Sequence, residues 1–180
     1  MSGFLCTDDR AFELFEKHWA LVTAGSYESY NSCTVSWGSL GTVWSRPTAT
    51  VYIHPARYTS EFLTQSDFFT VSFYDEAYRP ALAYMGAHSG RDGDKAAATG
   101  LTPVAFGQSM TYCEARLTLL CKKLYAHQFD KDALDTEIQA MYAAAPTVYP
   151  DFEGGWQPHI VFIGEVIDAL DKRTEQECMT

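Results

Sequence analysis

A cationic side chain stands beside several hydroxyl groups at Arg57–Phe62 (RYTSEF), in a chain that is otherwise acidic. Arg57 comes just before a predicted helix N-terminus that carries hydroxyls at Tyr58, Thr59 and Ser60. Such a terminus presents free N–H groups and a partial positive charge, so it accepts a phosphate, and an arginine adds charge-assisted hydrogen bonds. An ordinary N-cap next to a surface arginine gives the same pattern, and this fragment alone favours that simpler interpretation.

A second group of cations lies in the loop Ser89–Lys95 (SGRDGDK). Its two glycines allow the backbone to approach a ligand closely. Arg91 and Lys95, together with Arg57, would neutralise a phosphate dianion beside Ser89. A solvated turn with local Arg–Asp pairs is the alternative interpretation.

Small polar side chains follow one another in Asn31–Gly38 (NSCTVSWG), which alternates as a strand does and leads into Trp37. This segment offers backbone and hydroxyl groups to the polar edge of a flat ligand, and aromatic residues wall the faces of such ligands. The alternative is an edge strand with a buried tryptophan.

The surrounding pattern predicts an antiparallel barrel with inserted helices. Period-two patterns rich in β-branched and aromatic residues predict strands over 31–36, 47–53, 67–74, 110–125 and 159–169. Helical spacing predicts helices over 8–22, 76–86, 95–99 and 132–144. Turn and cap residues predict Thr59 and Asp94 as N-caps, Gly100 as a helix end, and a bulge or bend at Gly164.

No βαβ rhythm, repeat or low-complexity linker is visible, so residues 1–180 are expected to form a single domain, mainly β, of about six strands.

Composition excludes several classes of partner. The 180 residues carry a formal charge of 13 − 23 = −10, which disfavours nucleic acid and anionic membranes. The five cysteines are odd in number and lack CxxC spacing, which indicates reduced thiols and no metal site. The start MSGFLCTDDR lacks a basic n-region, and no apolar run reaches the ~18 residues of a membrane span. We therefore expect a cytoplasmic protein.

The common nucleotide-binding motifs are missing. The sequence has no GxGxxG after a strand and no GxxxxGK[ST], and it also lacks the GxSxG nucleophile elbow of hydrolases. Any nucleotide must therefore be held by another arrangement.

The three weak patterns occur in a familiar order. The matching stretches are NSCTVSWGSLGTVWSRPTATVYIHPARYTSEF, DFFTVSFYDEAYRPALAYMGAHSGRDGDKAAATGLTP, EARLTLLCKKLY and HIVFIGEV. Through them the chain resembles the flavin reductase-like family of FMN-binding split barrels, and within it the flavoredoxin-like members. The resemblance implies a six-stranded antiparallel barrel, a homodimer, and one FMN per subunit near the interface.

The resemblance also implies which residues contact the cofactor. Those lining the isoalloxazine, partly through backbone atoms, would be Asn31, Ser32, Thr34 and Ser36, with Trp37 packed near the ring. Those receiving the phosphate would be Arg57, Tyr58 and Thr59. Those in the loop that closes over the phosphate and ribityl chain would be Ser89, Arg91 and Lys95.

Two residues allow more than one interpretation. Cys33 stands where the family usually carries methionine or another apolar residue. A buried thiol that acts as a small hydrophobe is the simpler interpretation, and a thiol that touches the flavin is the other. His159, which opens the last predicted strand, fits either a core or interface histidine or one that helps to place a nicotinamide.

The implied function is that of an oxidoreductase, in which FMN takes electrons from NADH, NADPH or a redox protein and passes them to an acceptor. The chain would then be a reductase that supplies reduced flavin to a partner enzyme, or an electron carrier with a redox-protein partner. No catalytic residue is predicted, because hydride transfer to flavin N5 requires no acid–base pair. A non-catalytic FMN-binding, storage or sensing module, and a barrel without flavin that only mediates association, are the alternatives.

Overall fold

The computed structural model describes residues 12–150, 152 and 154–172, and within them nine strands, five α-helices and a short 3₁₀ helix at Glu76–Tyr78. The strands are β1 (Ala20–Ser26), β2 (Ser29–Val35), β3 (Gly38–Val43), β4 (Arg46–Ile53), β5 (Phe68–Phe73), β6 (Pro103–Phe106), β7 (Ser109–Tyr112), β8 (Leu117–Gln128) and β9 (Ile160–Asp171). The helices are α1 (Glu13–Glu16), α2 (Tyr58–Gln65), α3 (Arg79–Ala87), α4 (Lys95–Thr99) and α5 (Thr136–Ala144). None of these helices is both long enough and apolar enough to cross a membrane.

In this part of the chain, seven strands form one antiparallel sheet in the order β2-β1-β5-β8-β9-β4-β3, and β6 pairs with β7 alone. The sheet curls until β2, at one end, contacts β4 near the other end. The result is a barrel that hydrogen bonds do not close between β2 and β4. The predicted mainly-β antiparallel barrel is confirmed. The sheet has seven strands where six were expected; the patterns located five of the seven and did not reveal β1 and β3.

Alternating side chains of β1 divide the interior into two apolar layers. Ala20, Val22 and Ala24 point into the barrel, where they share a core with Phe69 and other buried residues. Leu21 points outward into a second cluster that α3 and α4 cover. This second cluster packs α3 and α4 against the outer face of the sheet, and β1 is therefore buried on both faces.

The predicted helix over 8–22 is confirmed only at Glu13–Glu16 and is wrong beyond it, while residues 8–11 lie outside the described residues. Trp19 adopts a positive φ of 60°, which ends any continuation of the helix. Ala20–Ser26 is a strand whose first five residues are buried. A strand covered on both faces reads as a continuous apolar run, which periodicity does not separate from a buried helix.

The single long strand predicted over 110–125 is also wrong. A turn at 113–116 separates β7 from β8, with the Ala115 N–H donating to the Tyr112 carbonyl at 3.1 Å. The Arg116 N–H donates to the Phe73 carbonyl at 2.9 Å, which starts the pairing of β8 with β5. β7 pairs with β6, whereas β8 belongs to the seven-stranded sheet. This difference depends on contacts with distant strands, which the local pattern does not reveal.

Cap chemistry was predicted with mixed success. The Asp94 carboxylate accepts hydrogen bonds from the N–H groups of Ala96 (2.9 Å) and Ala97 (3.1 Å), and Gly100 ends α4 at a φ of 72°, so this helix is confirmed. The N-cap prediction for Thr59 is wrong, because Arg57 occupies the N-cap position of α2 without a side-chain cap bond. The remaining helices lie close to prediction, with Pro80 in the first turn of α3 and α5 beginning at Thr136.

Gly164 of β9 packs against the barrel core, and the facing strand β8 has an irregular register between Lys123 and Tyr125. A Cβ at Gly164 would lie 2.7 Å from both the Cys121 Cβ and the Phe69 ring. We expect Gly164→Ala to lower the free energy of unfolding by about 1–3 kcal/mol, the usual cost of overpacking, in urea titrations. Gly41→Ala is the control, because among the described residues no atom outside Gly41 and its two chain neighbours lies within 4 Å of the added Cβ. Equal losses in both variants would contradict the packing argument.

Candidate functional site

Within the described residues, three adjoining cavities follow strand β2 and the start of α2. The aromatic cavity, of about 150 Å³, is lined by Cys33, Thr34, Val35, Ser36, Trp37, Tyr52, Ile53, His54, Arg57, Val148, Tyr149 and His159. The cationic cavity, of about 240 Å³, is lined by Asn31, Cys33, Ala56, Arg57, Tyr58, Thr59, Met85, Gly86, Ala87, His88, Ser89, Gly90, Asp92 and Lys95. The outer cavity, of about 360 Å³, is lined by Glu28, Ser29, Tyr30, Asn31, Ser32, Tyr58, Phe62, Met85, Gly90, Gly93, Asp94, Lys95, Ala96 and Tyr112.

Shared walls make the three cavities one elongated cleft. Cys33 and Arg57 border both the aromatic and the cationic cavity. Asn31, Tyr58 and Lys95 border both the cationic and the outer cavity. The cationic cavity is therefore the middle of the cleft, and a ligand anchored there has space on both sides.

The start of α2 is fixed against β2 by side-chain hydrogen bonds. Asn31 Nδ2 donates to Thr59 Oγ1 at 2.8 Å. The Ser60 hydroxyl lies within hydrogen-bond distance of the carbonyls of Pro55 (2.9 Å) and Arg57 (2.7 Å), which braces the turn that precedes the helix. The N–H groups of a first helical turn have no intrahelical acceptor. This turn, at Tyr58 and Thr59, therefore brings helix-end donors to the border of the cationic cavity.

Two cations are attached to the last turn of α3. Lys95 Nζ donates to the carbonyls of Ser32 and of Met85 (3.1 Å for the latter), and Arg57 Nη1 donates to the Gly86 carbonyl at 2.8 Å. Carbonyls at a helix C-terminus lack intrahelical donors and carry partial negative charge, so they stabilise cations there. An ammonium has three N–H donors and a guanidinium has five, so both groups keep donors for a ligand.

The electrostatics of the cationic cavity favour an anion. Lys95 is only 7% exposed, and burial lowers its pKa, with the charge of Arg57 lowering it further. Asp92 is the one acidic residue that borders this cavity in the described chain, and its side chain is exposed. An anion placed between Lys95 and Arg57 would relieve their repulsion and restore a charge partner to each.

Neutral histidines and aromatic rings line the neighbouring aromatic cavity. The ring centroids of Trp37 and His159 lie 4.6 Å apart, and those of His54 and His159 lie 5.4 Å apart. Burial, then His54 and Arg57, lowers the pKa of His159 to about 3. Burial and Arg57 also lower the pKa of His54. Both imidazoles are therefore uncharged at neutral pH.

Tyr142 is hydrogen-bonded to both the ring and the backbone of His159. The backbone N–H of His159 donates to the Tyr142 hydroxyl oxygen at 3.4 Å, and that hydroxyl lies 2.6 Å from His159 Nδ1. These two contacts fix the orientation of the neutral His159 ring in the wall of the aromatic cavity.

Cys33 is buried and also borders two of the cavities. Burial raises the pKa of its thiol, although a hydrogen bond with Thr59 and the charges of Lys95 and Arg57 act in the opposite direction. The group is therefore a neutral thiol in the wall between the aromatic and cationic cavities. Cys33, Cys113 and Cys121 are free thiols in the described part of the chain.

The residues predicted on β2 fall on two faces, because successive side chains of a strand alternate. Asn31 faces α2 through its bond to Thr59, whereas the Ser32 hydroxyl contacts Thr23 and Tyr112 at 2.8 Å on the other face. Thr34 Oγ1 donates to the Leu82 carbonyl at 2.5 Å. Ser36 and Trp37 lie past the strand end, at the border of the aromatic cavity. The structure thus brings these side chains to different parts of the cleft.

The predicted loop residues Ser89, Arg91 and Lys95 do not all lie at the same cavity. Ser89 and Lys95 border the cationic cavity. Arg91 borders none of the three cavities. It forms an exposed ion pair with Glu61, and its guanidinium lies 4.4 Å from the centroid of the Tyr58 ring. The predicted three-cation cluster is therefore a pair, Arg57 and Lys95, with Arg91 nearby on the surface.

Several cleft residues were absent from the sequence-based prediction. His54 stands three residues before Arg57 in IHPARYT, a spacing that places it at the end of β4 beside the start of α2. Tyr149 lies in a segment without periodicity, so nothing in the local pattern indicated it. Gly90 is explained by packing, since a Cβ there would lie 2.1 Å from Asn31 Oδ1 and 3.3 Å from the Tyr58 ring.

The donor set of the cleft fits a phosphorylated flat ligand. The cationic cavity combines Arg57, Lys95, the Thr59 hydroxyl and a helix N-terminus, which suit a phosphate dianion. The aromatic cavity offers rings and an adjoining strand end, which suit a planar ring system with one polar edge. The residues present are therefore compatible with a flavin mononucleotide.

The fold and the cleft together define an antiparallel split barrel with an anion-accepting groove along its edge strand. A family model described as "Flavin reductase like domain" matches residues 12–178. The chain belongs to this flavin reductase-like family. No match is found among curated proteins.

Three solved structures illustrate the likeness in fold. An FMN-binding protein from Thermus thermophilus is 19% identical with a TM-score of 0.66, over 96% of this chain and 82% of its own. The flavoredoxin of Desulfovibrio vulgaris is 23% identical with a TM-score of 0.63, over 87% and 70%. Nitrilotriacetate monooxygenase component B from Bacillus cereus is 17% identical with a TM-score of 0.64, over 87% and 70%. At these identities the likeness establishes the shared fold.

Proposed function

We propose that this chain binds FMN and acts as an oxidoreductase that moves electrons from NADH, NADPH or a redox protein to an acceptor. The phosphate would occupy the cationic cavity and the isoalloxazine the aromatic cavity. One observation supports this proposal most strongly. Arg57, Lys95 and the N-terminus of α2 border the same cavity, and this cavity adjoins the aromatic cavity. The names of the similar structures, an FMN-binding protein and a flavoredoxin, support it.

The chain's own residues bind and orient the cofactor. Arg57 and Lys95 would hold the phosphate by charge-assisted hydrogen bonds, with Thr59 and Ser89 as hydroxyl partners. The end of β2 and Trp37 would position the ring, and the uncharged His159 would contribute a neutral imidazole to the wall of the aromatic cavity. A bound flavin supplies the redox chemistry itself.

The first test is the visible absorption spectrum of the purified protein, loaded with FMN and then treated anaerobically with NADH and with NADPH. We expect a flavin band at about 450 nm, a property of the oxidised cofactor, that bleaches with one or both nucleotides. A band that persists would favour an electron carrier or a non-catalytic FMN-binding module. A protein that stays colourless after FMN loading would contradict the central proposal.

A second measurement separates the two forms of oxidoreductase. Steady oxidation of NADH or NADPH that depends on added free flavin would identify a reductase that supplies reduced flavin to a partner enzyme. Reduction by an iron–sulfur protein, without turnover of pyridine nucleotide, would identify a flavoredoxin-like carrier. Both outcomes retain FMN binding, and they differ only in the electron donor.

We also propose that the chain is a homodimer in the cytoplasm, as the family resemblance implies. An apolar groove of about 290 Å³ lies along the β3–β4 hairpin, lined by Leu40, Pro47, Leu119 and Val166 among others. Trp44, at the hairpin turn, is 59% exposed. A second copy covering this face would bury these groups. Sedimentation equilibrium is expected to give the mass of two chains, and Leu40→Glu is expected to shift it to one.

A further inference from the structure

His54 follows the last residue of β4 and borders the aromatic cavity, although the residue is only 2% exposed. Its ring contacts two others in the wall of that cavity, with centroid distances of 5.4 Å to His159 and 5.8 Å to Tyr149. His54 Nε2 is buried and forms no hydrogen bond with the described residues. Because buried polar atoms are almost always paired, an unpaired one beside a cavity indicates a ligand that would pair with it.

A backbone contact decides which nitrogen of His54 carries the proton. The Ala56 N–H donates to His54 Nδ1 at 3.3 Å, and because an N–H group only donates, Nδ1 is the unprotonated nitrogen. Burial and then the charge of Arg57 lower the pKa of His54, and the carbonyl of Gln157, the weakest of the three influences, opposes them. The imidazole is therefore neutral at pH 7, and its single proton is on Nε2.

One tight turn connects His54 with the phosphate side of the cleft. The Arg57 N–H donates to the His54 carbonyl at 2.9 Å, which closes the turn between β4 and α2. Arg57 borders the aromatic and the cationic cavity, whereas His54, among the three cavities, borders only the aromatic one. A ligand whose phosphate is held by Arg57 would therefore extend its ring into the cavity that His54 lines.

We propose that His54 donates a hydrogen bond from Nε2 to the polar edge of the bound isoalloxazine and thereby stabilises the reduced flavin. This inference rests on the proposed FMN site. The oxygen and nitrogen atoms of that edge are acceptors, which are the partners that an Nε2–H requires. His54 would thus contact the ring directly, in addition to the residues of β2 that are expected to line it.

Reduction of the flavin strengthens this hydrogen bond. Oxidised FMN plus two electrons and one proton gives the anionic reduced form, whose negative charge lies on the polar edge of the ring. A hydrogen bond to a charged acceptor is stronger than one between neutral groups, and burial of His54 limits screening by solvent. Loss of the donor should therefore weaken binding of reduced FMN more than binding of oxidised FMN, and so lower the reduction potential of the bound cofactor.

Two substitutions separate a donor to the ring from a purely structural histidine. In His54→Asn the side-chain oxygen can still accept from the Ala56 N–H, but the shorter amide leaves no donor at the position of Nε2. His54→Gln does the reverse, because its amide N–H reaches the position of Nε2 while the local bond to Ala56 is lost. His127→Asn is the matched control, since this histidine is exposed on β8 and borders none of the three cavities.

The affinity for oxidised FMN is measured by quenching of flavin fluorescence, and the potential of bound FMN by anaerobic reduction against a reference dye at pH 7.5. In His54→Asn we expect reduced FMN to lose about tenfold more affinity than oxidised FMN, which lowers the potential by about 30 mV for a two-electron couple. His54→Gln should retain most of the native potential, and His127→Asn should retain all of it.

A native potential in His54→Asn would overturn the inference and leave the FMN proposal standing. A potential that falls as far in His54→Gln as in His54→Asn would also overturn it, because the glutamine keeps a donor. If His54→Asn does not fold, nitrogen NMR of the native chain with isotope-labelled histidine gives the answer. FMN should shift the protonated Nε2 resonance of His54, and an unchanged resonance would contradict the contact. Failure of the native chain to bind FMN would overturn the proposed function as well.

Discussion

Replacing Arg57 with alanine is expected to weaken FMN binding by about 10- to 150-fold. A hydrogen bond to a charged group contributes about 1.5–3 kcal/mol, and about 1.4 kcal/mol corresponds to a factor of ten in affinity. One N–H of the guanidinium donates to the Gly86 carbonyl, and the side chain borders the cationic cavity. Isothermal titration calorimetry or quenching of flavin fluorescence measures the loss directly.

Riboflavin separates a phosphate contact from a general disturbance of the cleft, because it lacks the phosphate. Arg57→Ala should leave riboflavin affinity nearly unchanged, and Arg57→Lys should fall between the native chain and the alanine variant for FMN. Arg46→Ala is the matched control, since Arg46 pairs with Glu165 on the surface and borders none of the three cavities. Unchanged FMN affinity in Arg57→Ala would remove Arg57 from the phosphate site.

Local patterns were enough to place some residues at helix starts. Arg57 lies at the start of α2 and Lys95 at the start of α4, and the Asp94 cap followed from cap rules, whereas the cap expected at Thr59 was wrong. The antiparallel class followed from strand patterns without βαβ units. That Arg57 and Lys95 border one cavity depends on contacts between distant segments, with Gly86 and Ser32 as their partners.

The rest depended on contacts between distant segments. The aromatic cavity joins β2, the end of β4, the segment around Tyr149 and the start of β9, and no local pattern indicates that these segments meet. Arg91 was expected at the phosphate site, yet Glu61, thirty residues away in sequence, pairs with it on the surface. β1 is buried on both faces only in the folded barrel, so its apolar run gave a wrong prediction of a helix.

Acidification is expected to destabilise the flavin-free protein through His159. The pKa of this imidazole is about 3 in the folded chain and 6.5 in the reference state, so between these values the unfolded chain binds a proton that the folded chain does not. The stabilisation is complete above pH 6.5 and decreases as the pH falls toward 3. By pH 5 the free energy of unfolding has fallen by about 2 kcal/mol through His159. The pKa of His54 is also lowered, so this group acts in the same direction. Urea titrations between pH 5 and pH 7.5 measure the fall in the free energy of unfolding.

His159→Gln tests this assignment because it removes the titrating group and keeps a side chain that can hydrogen-bond to the Tyr142 hydroxyl. Between pH 7.5 and pH 5, the free energy of unfolding should fall by about 2 kcal/mol less in this variant than in the native chain. His127→Gln removes an exposed histidine of β8 and should retain the native pH profile. Arg57→Ala should flatten the profile in part, because the charge of Arg57 is one cause of the lowered pKa of His159. A profile equally steep in the native chain and in His159→Gln would show that other groups carry the pH dependence.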